Sequence, residues 1–348
     1  MATMREVAEK ASVSITTVSH VLNGTRFVSD ELAKRVRQAV VELDYQPDQR
    51  ARGLRKGLSE TIAVVVSDIG NPFFPGVVRG AEDCARERNY SLILCNTDED
   101  PEREAVSVSL MLERRVDGFL IAPSSAAATT LRRLDGCGTP FVVIDRPFED
   151  FEIDQVYSNN KEGARQAISF LINQGHKRIG IIVEMESIAT FRDRVQGWRE
   201  AHEAAGLPCD ENLIWEAGLK SEGSQEATRH LMEQMSPATA VFATNNLMVL
   251  GVLKYLRETG RTCPEDLSVL GFDDPGWARS WNPALTVVAQ DQYRMGYTAM
   301  SLLLKRIVTG NSRHERVVLP CELMIRESCC PPSKTKLENL KVQSPFHR

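Results

Sequence analysis

The 348 residues are enough for more than one domain of about 100–200 residues, and they carry 42 Lys and Arg against 47 Asp and Glu, a formal net charge of −5. Residues 1–60 hold 10 of the basic and 8 of the acidic side chains, so a mildly basic head precedes an acidic body. This excludes a protein that coats nucleic acid along its whole surface and fits one that approaches it locally, with salt-sensitive binding. No apolar stretch approaches the roughly 20 residues of a membrane span. The chain opens on a helix cap and charged residues, not on an export signal, and none of its eight cysteines pairs with another at zinc-site spacing. A reducing cytoplasm is the expected setting.

Helical spacing from Arg5 to Ala11 puts Val7, Ala8 and Ala11 on one face, with Thr3 placed as the N-cap. A second short helix runs from Ser14 to Leu22, with Val18, Val21 and Leu22 inward, and Gly24 supplies its stop. Two helices of about two turns joined by a tight turn match the unit that lays its second helix in a major groove. Ile15 suits a thymine methyl there, Thr16 donates or accepts, and His20 reaches a purine acceptor. A third helix, about Ser29 to Leu43, carries Leu32, Val36, Ala39, Val40 and Leu43 as its apolar stripe and completes a three-helix headpiece over residues 1–46. Standing alone, the same pattern would also describe a small helical bundle.

Residues 47–58 follow, in the segment YQPDQRARGLRK and just beyond, with Arg50, Arg52, Arg55 and Lys56 around the apolar Leu54. A helix of roughly two turns is marginal in water. The expectation is a hinge helix that forms on DNA, its arginines at phosphates or in the minor groove and Leu54 wedged into a base step. A basic solvated linker is the bland alternative.

These two stretches, MATMREVAEKASVSITTVSHVLNGTRFVS and YQPDQRARGL, resemble the headpiece and hinge of the lactose repressor (LacI/GalR) family, the head looking most like its purine repressor branch. The resemblance implies a homodimer on a palindromic, double-stranded operator. It implies DNA contacts from Thr3, Ser14, Ile15, Thr16, Thr17, Ser19, His20, Asn23, Arg26, Arg52, Leu54 and Arg55.

From Thr61 the pattern alternates between strand and helix. TIAVVVS, SLILCN, DGFLIAP and PFVVID are short apolar runs separated by helical spacing, the signature of a parallel sheet covered on both faces. The rhythm then repeats: helix 161–174, strand RIGIIV, helices 191–205 and 222–235, strand TAVFAT, helix 247–259, strand LSVLGF. The last elements, ALTVVAQ, a helix 292–308, RVVLP and ELMIR, are too few for a third domain and are expected to finish the two earlier sheets. The fold class is therefore α/β: a helical headpiece plus a two-lobed clamshell of parallel sheets. The expected boundaries are lobe 1 at about 59–160 and 291–321, lobe 2 at about 161–290 and 322–330, and a tail at 331–348 that is polar, proline-bearing and expected to be disordered. The tail has no apolar heptad, so no coiled-coil tetramer is expected.

In such folds ligands sit at the carboxyl ends of the strands. The tips after the first, third and fourth strands supply Asp68, Asn71, Phe73, Phe74, Ser124, Ser125, Asp145 and Arg146. Those of the second half supply Arg192, Arg194, Asn245, Asn246, Asp273, Asp274 and Gln290. Aromatic faces with carboxylates, amides and arginines suit a neutral polyhydroxyl ligand. Each position also has a plainer reading: Phe73 and Phe74 as helix-start packing, Asp145 with Arg146 as a surface ion pair, Asn245 as a helix cap. His176 reads as structural.

NPFF, IDR, RDRVQGW, ATNN, GFDD and VAQ resemble the sugar-contact segments of ribose-binding proteins and ribose repressors. The resemblance implies a sugar effector, ribose or a related sugar, held by Asn71, Phe73, Phe74, Asp145, Arg146, Arg194, Asn245, Asp273 and Gln290. No cofactor or metal is expected. A purine or other corepressor of the same family is the alternative. A periplasmic-type sugar-binding protein would share the cleft but has no use for residues 1–56. A dehydrogenase is excluded because Gly70, Gly76 and Gly80 do not make the phosphate-loop spacing, and no nucleophile–base order sits at the strand tips, so no enzyme is expected.

Overall fold

The computed structural model describes residues 2–24, 26–45, 58–124, 128–185, 188–218, 221–310 and 313–333. Contacts divide the chain into two units, Met1–Ser59 and Glu60–Arg348. Most of the expected hinge, including Arg52, Leu54 and Arg55, and the tail from residue 334 lie outside the described residues.

In the first unit, helix α1 (Met4–Ala11) begins at a reciprocal cap. The Thr3 hydroxyl accepts from the Glu6 amide at 3.3 Å while the Glu6 carboxylate accepts from the Thr3 amide at 2.6 Å. Helix α2 (Ile15–Asn23) is capped by Ser14, whose Oγ accepts from the Thr17 amide at 3.0 Å, and it ends at Gly24 with φ +61°. Helix α3 (Asp30–Glu42) closes a small core of Val7, Ala8, Ala11, Val18, Val36, Ala39 and Tyr45. Of the expected stripe, Leu32, Val40 and Leu43 are half-buried; Val40 and Leu43 still pack against this core, while Leu32 does not and Ala33 is buried instead. Arg35 donates to the carbonyls of Ala11 and Ser12, tying α3 to the turn between the first two helices.

In the second unit the strands are β1 (Thr61–Val66), β2 (Ser91–Asn96), β3 (Gly118–Ile121), β4 (Phe141–Ile144), β5 (Asp154–Ser158), β6 (Ile179–Val183), β7 (Ile214–Glu216), β8 (Ala240–Ala243), β9 (Ser268–Phe272), β10 (Thr286–Gln290), β11 (Arg316–Leu319) and β12 (Cys321–Met324). Among the described residues they form two six-stranded sheets, ordered β2-β1-β3-β4-β5-β11 and β7-β6-β8-β9-β10-β12. The second order repeats the first, and all pairs are parallel except β12 against β10. The exception follows from the path: β12 enters the second sheet one residue after β11 leaves the first, so it runs the other way.

Two strands escape the apolar pattern. β5 reads DQVYS, and its two most polar side chains are answered: Asp154 accepts from the Glu315 amide at 2.7 Å and pairs with Arg306, and the Gln155 side chain exchanges two 3.0 Å hydrogen bonds with the Phe148 backbone. β7 is three residues long on a sheet edge, too short to show alternation.

The helices are α4 (Phe73–Arg86), α5 (Pro101–Glu113), α6 (Ala128–Gly136), α7 (Asn160–Asn173), α8 (Ala189–Ala204), α9 (Ser221–Glu233), α10 (Asn246–Glu258), α11 (Gly276–Ser280) and α12 (Gln292–Thr309). The chain passes between sheets after β5, after β10 and between β11 and β12. After the second crossing α12 lies against α4, backbone to backbone. A Cβ on Gly80 would sit 2.0 Å from the Tyr293 carbonyl oxygen, and one on Gly296 would sit 1.8 Å from that of Val77. His176 is structural: its ring bonds Thr239 Oγ1 at 2.8 Å and the Cys330 carbonyl at 3.0 Å. No helix among the described residues is long and apolar enough to cross a membrane.

Candidate functional site

On the headpiece, the first turn of α2 presents Ile15, 48 % exposed, and Thr16 to solvent, with Ser19 and His20 half-exposed one turn on. The other candidates of this face are partly engaged with one another. The Ser14 and Thr17 hydroxyls lie 2.8 Å apart, and Asn23 Nδ2 donates to the Ser19 carbonyl at 2.8 Å and to its hydroxyl at 3.2 Å. The Thr3 hydroxyl belongs to the α1 cap, and Arg26 is exposed. Exposed apolar and hydroxyl groups on the leading turn of a helix, held by caps rather than by packing, are the geometry for reading base edges.

In the second unit, Asn71, Phe73, Phe74, Asp145, Arg146, Arg194, Asn245, Asp273 and Gln290 line one cavity of about 330 Å³. They come from both lobes and meet because both sheets aim the carboxyl ends of their strands at it. Phe73 and Phe74 start α4 directly after β1, and their rings meet edge to face with centroids 5.2 Å apart. The repeat of the fold is visible in single residues. Asp145 follows β4 with φ +66° and its amide donates to Val156; Asp273 follows β9 with φ +73° and its amide donates to Val288. Each left-handed residue turns its carboxylate back into the cleft.

The polar groups are ordered before any ligand arrives. Arg146 is no surface residue: its guanidinium is clasped by both oxygens of Glu99, one at 2.7 Å, and it also donates to the Pro123 carbonyl at 2.8 Å. Arg194 gives two hydrogen bonds to Asn160 Oδ1, at 2.9 and 2.7 Å, and one to the Thr244 carbonyl, while lying 3.7 Å from the centre of the Phe272 ring. Asn245 has two roles: its oxygen caps α10 through the Met248 amide at 2.8 Å, and its nitrogen donates to Glu184 at 3.1 Å. Gln290 donates to Asp273 at 2.7 Å, and Asn246 donates to Asn71 across the cleft at 2.8 Å. Asp145 Oδ1, Arg146 Nε and Gln290 Oε1 are buried without a hydrogen-bond partner, unmet groups of the kind a ligand completes. Burial pushes the Asp145 carboxyl up to about 6 against the pull of Arg146 and Arg194, and raises that of Asp273.

The sequence reading passed over Glu99, Glu184, Asp98, Thr190 and Phe191, all of which line the cavity. The signal was available: Glu184 directly follows β6 and Glu99 lies three residues beyond β2, the same strand-tip rule that found the others. Ser124 and Asp274 are strand-tip residues that do not line it, Asp274 turning away to Arg326 and Arg279, and Arg192, expected at a tip, lies in α8 and does not line it either. Ser125 lies outside the described residues. Aromatic rings beside carboxylates and amides are chemistry that suits a compact ligand with apolar faces and several hydroxyls.

Comparison with known proteins agrees. The profile of bacterial regulatory proteins of the lacI family matches residues 3–48, and that of the periplasmic binding protein-like domain matches residues 168–329. The chain is 35 % identical over 332 residues to the HTH-type transcriptional repressor PurR of Haemophilus influenzae, covering 94 % of this chain and 98 % of the relative. Among solved structures it is similar to a LacI family transcriptional regulator from Enterococcus faecium with bound ribose, at 31 % identity and a TM-score of 0.72 over 78 % of this chain and 100 % of that one. It is also similar to the lac repressor dimer bound to operator and the anti-inducer ONPF, at 25 % identity and a TM-score of 0.84 over 94 % and 99 % of the two chains.

Proposed function

The chain belongs to the lacI family of bacterial regulatory proteins, DNA-binding transcriptional repressors and not enzymes, and from that premise we propose that a sugar, ribose or a close relative, fills the cleft and releases the protein from its operator. The observation that carries this reading is the lining of one cavity by three aromatic rings and thirteen polar side chains from both lobes, several with unmet hydrogen bonds. Sugar C–H faces stack on Phe73 and Phe74 while Asp145, Asp273, Asn71, Asn245 and Gln290 take the hydroxyls. The protein acts as a homodimer on a palindromic site. Ile15, Thr16 and His20 read bases, Thr3, Ser14, Thr17, Ser19, Asn23 and Arg26 assist on the headpiece, and Arg52, Arg55 and Leu54 act in the minor groove. Closure of the lobes on the sugar shifts the dimer partners and separates the paired hinge segments, so Leu54 loses its seat.

Linkage supplies the test: if ribose weakens operator binding by some factor, operator must weaken ribose binding by the same factor. Calorimetric titration of the full chain with ribose, alone and saturated with operator duplex, should show that loss; an unchanged ribose affinity refutes the mechanism. A second reading has its own support, the 35 % identity to a purine repressor across nearly the whole chain: a purine corepressor that strengthens DNA binding. Melting the protein against pentoses, hexoses and purine bases separates the two, since a ligand at 100 times its Kd raises stability by about 2.7 kcal/mol.

A further inference from the structure

The cleft has an end that a simple pentose leaves unused. Six carboxylates line the cavity, from Asp68, Asp98, Glu99, Asp145, Glu184 and Asp273, against the two guanidinium groups of Arg146 and Arg194. The terminal nitrogens of both cations are already engaged, and of the two guanidinium groups only Arg146 Nε, facing the Asp145 carboxylate at 3.7 Å, is left unmet. Arg146 spends its terminal nitrogens on Glu99, Pro123 and Ser67, and Arg194 spends its own on Asn160 and Thr244. The unmet side-chain atoms are mostly acceptors, Asp145 Oδ1 and Gln290 Oε1 among them, each on a residue at least nine-tenths buried. A phosphate meets one unmet guanidinium nitrogen against six carboxylates, whereas a group rich in N–H donors meets many acceptors.

Glu184 is the centre of this excess. It stands at the tip of β6 in the second lobe, 9 % exposed, and among the described residues its carboxylate accepts from Asn245. Burial first, then the charges of Glu99 and Asp68, push its carboxyl up to about 7 against the pull of Arg146 and Arg194. Carboxylates of both lobes, Asp68 of the first and Glu184 of the second, thus line one cavity, a setting that a positive or donor-rich group completes.

We infer that the effector is a non-phosphorylated sugar bearing an amino group, its ring seated on Phe73 and Phe74 and its amine bridging Glu184 of the second lobe to Asp68 of the first. The amine does what the arginines cannot, since both are already neutralised or engaged. This rests on the sugar reading of the same cleft and narrows it. An amino sugar, as a cation, and a nucleoside with an uncharged exocyclic amino group share the N–H donors this end of the cleft lacks.

The test is calorimetric titration of the full-length protein with matched probes: glucosamine against glucose, cytidine against uridine, and ribose against ribose 5-phosphate. In at least one of the first two pairs the amine-bearing member should bind about tenfold tighter or more, the responding pair naming the source, and the phosphate should abolish binding. Glu184→Gln keeps the acceptor for Asn245 and should fold, as a melting curve checks; it should retain the sugar and lose the preference for the amine. Equal affinities within both pairs, tight binding of ribose 5-phosphate, or a preference that survives Glu184→Gln overturns the inference while leaving a sugar site intact. Absence of binding by every sugar and nucleoside in the panel overturns the sugar reading itself and this inference with it.

Discussion

In the first lobe the sheet separates two apolar clusters: Ile62, Val64, Leu120 and Val142 face α4 and α12, while Ala63, Val65, Phe119 and Val143 face α5 and α6. In the second lobe one continuous cluster wraps the sheet from Ala164 to Val288, with Trp198 at its centre, fully buried and donating to the Ile179 carbonyl at 2.9 Å. The strand order is the same in both. The difference is greater in the charges that reach the cleft. The first lobe pairs Arg146, at the tip of β4, with a carboxylate of its own, Glu99, whereas the second brings Arg194 from α8 and surrounds it with neutral acceptors, Asn160 and the Thr244 carbonyl. At the equivalent tip after β9 the second lobe has Asp274, which turns away to Arg279 and Arg326, so a repeated backbone does not repeat what each tip offers.

The hardest blow to this comparison is aimed at the cores. Trp198→Ala should cost about 3–5 kcal/mol in urea unfolding, and because the second lobe has one cluster, fluorescence and circular dichroism should report the loss together; a cost under about 1 kcal/mol would mean that the cluster is not cooperative. Next comes the charge asymmetry. The Glu184 carboxyl is raised to about 7 from the ordinary 4.5, so the folded state holds its proton more tightly than the unfolded chain. Its contribution to stability is complete below about pH 4.5 and disappears as pH rises through 7. Glu184→Gln should therefore stabilise the ligand-free protein by about 3 kcal/mol at pH 8 and not at all near pH 4.5. A difference between wild type and variant that does not change with pH contradicts this.

A smaller effect separates the two equivalent aspartates. Asp145 Oδ1 has no partner in the free protein, so a ligand hydroxyl there is a new bond, while Asp273 already accepts from Gln290 at 2.7 Å and exchanges one bond for another. Asp145→Asn should weaken sugar binding by about 2 kcal/mol and Asp273→Asn by about 1 kcal/mol. Titrations giving the reverse order would place the stronger ligand contact on the second lobe. Smallest is Ser14→Ala on the headpiece, which removes the α2 cap and should lower its stability by about 1 kcal/mol, with both lobes unchanged by hydrogen exchange.

The headpiece was legible almost to the residue, because a cap, a three-to-four-residue period and a stop glycine are interactions within one turn of chain. Thr3 and Gly24 act where the sequence put them, and Ser14, read as the first residue of the second helix, is its cap one position earlier. Legibility failed where a local pattern was diluted: β5 carries Asp154 and Gln155 inside a sheet, tolerated because Arg306, Glu315 and Phe148 answer them from far along the chain. In the cleft the strand-tip rule named residues that line it, but its uneven use left out the tips of β2 and β6, and with them Glu99 and Glu184.

By itself the sequence determined the helical head, the alternating α/β body and its duplication, since hydrophobic period and turn chemistry are local and survive without knowledge of partners. Only the tertiary structure decided which charges are spent and which are left for a ligand. Arg146 meets Glu99 from 47 residues away and Asn71 meets Asn246 from 175. Such pairings, and the burial that raises Asp145 and Glu184, exist only once the sheets have brought distant strand ends to one place and excluded water from between them.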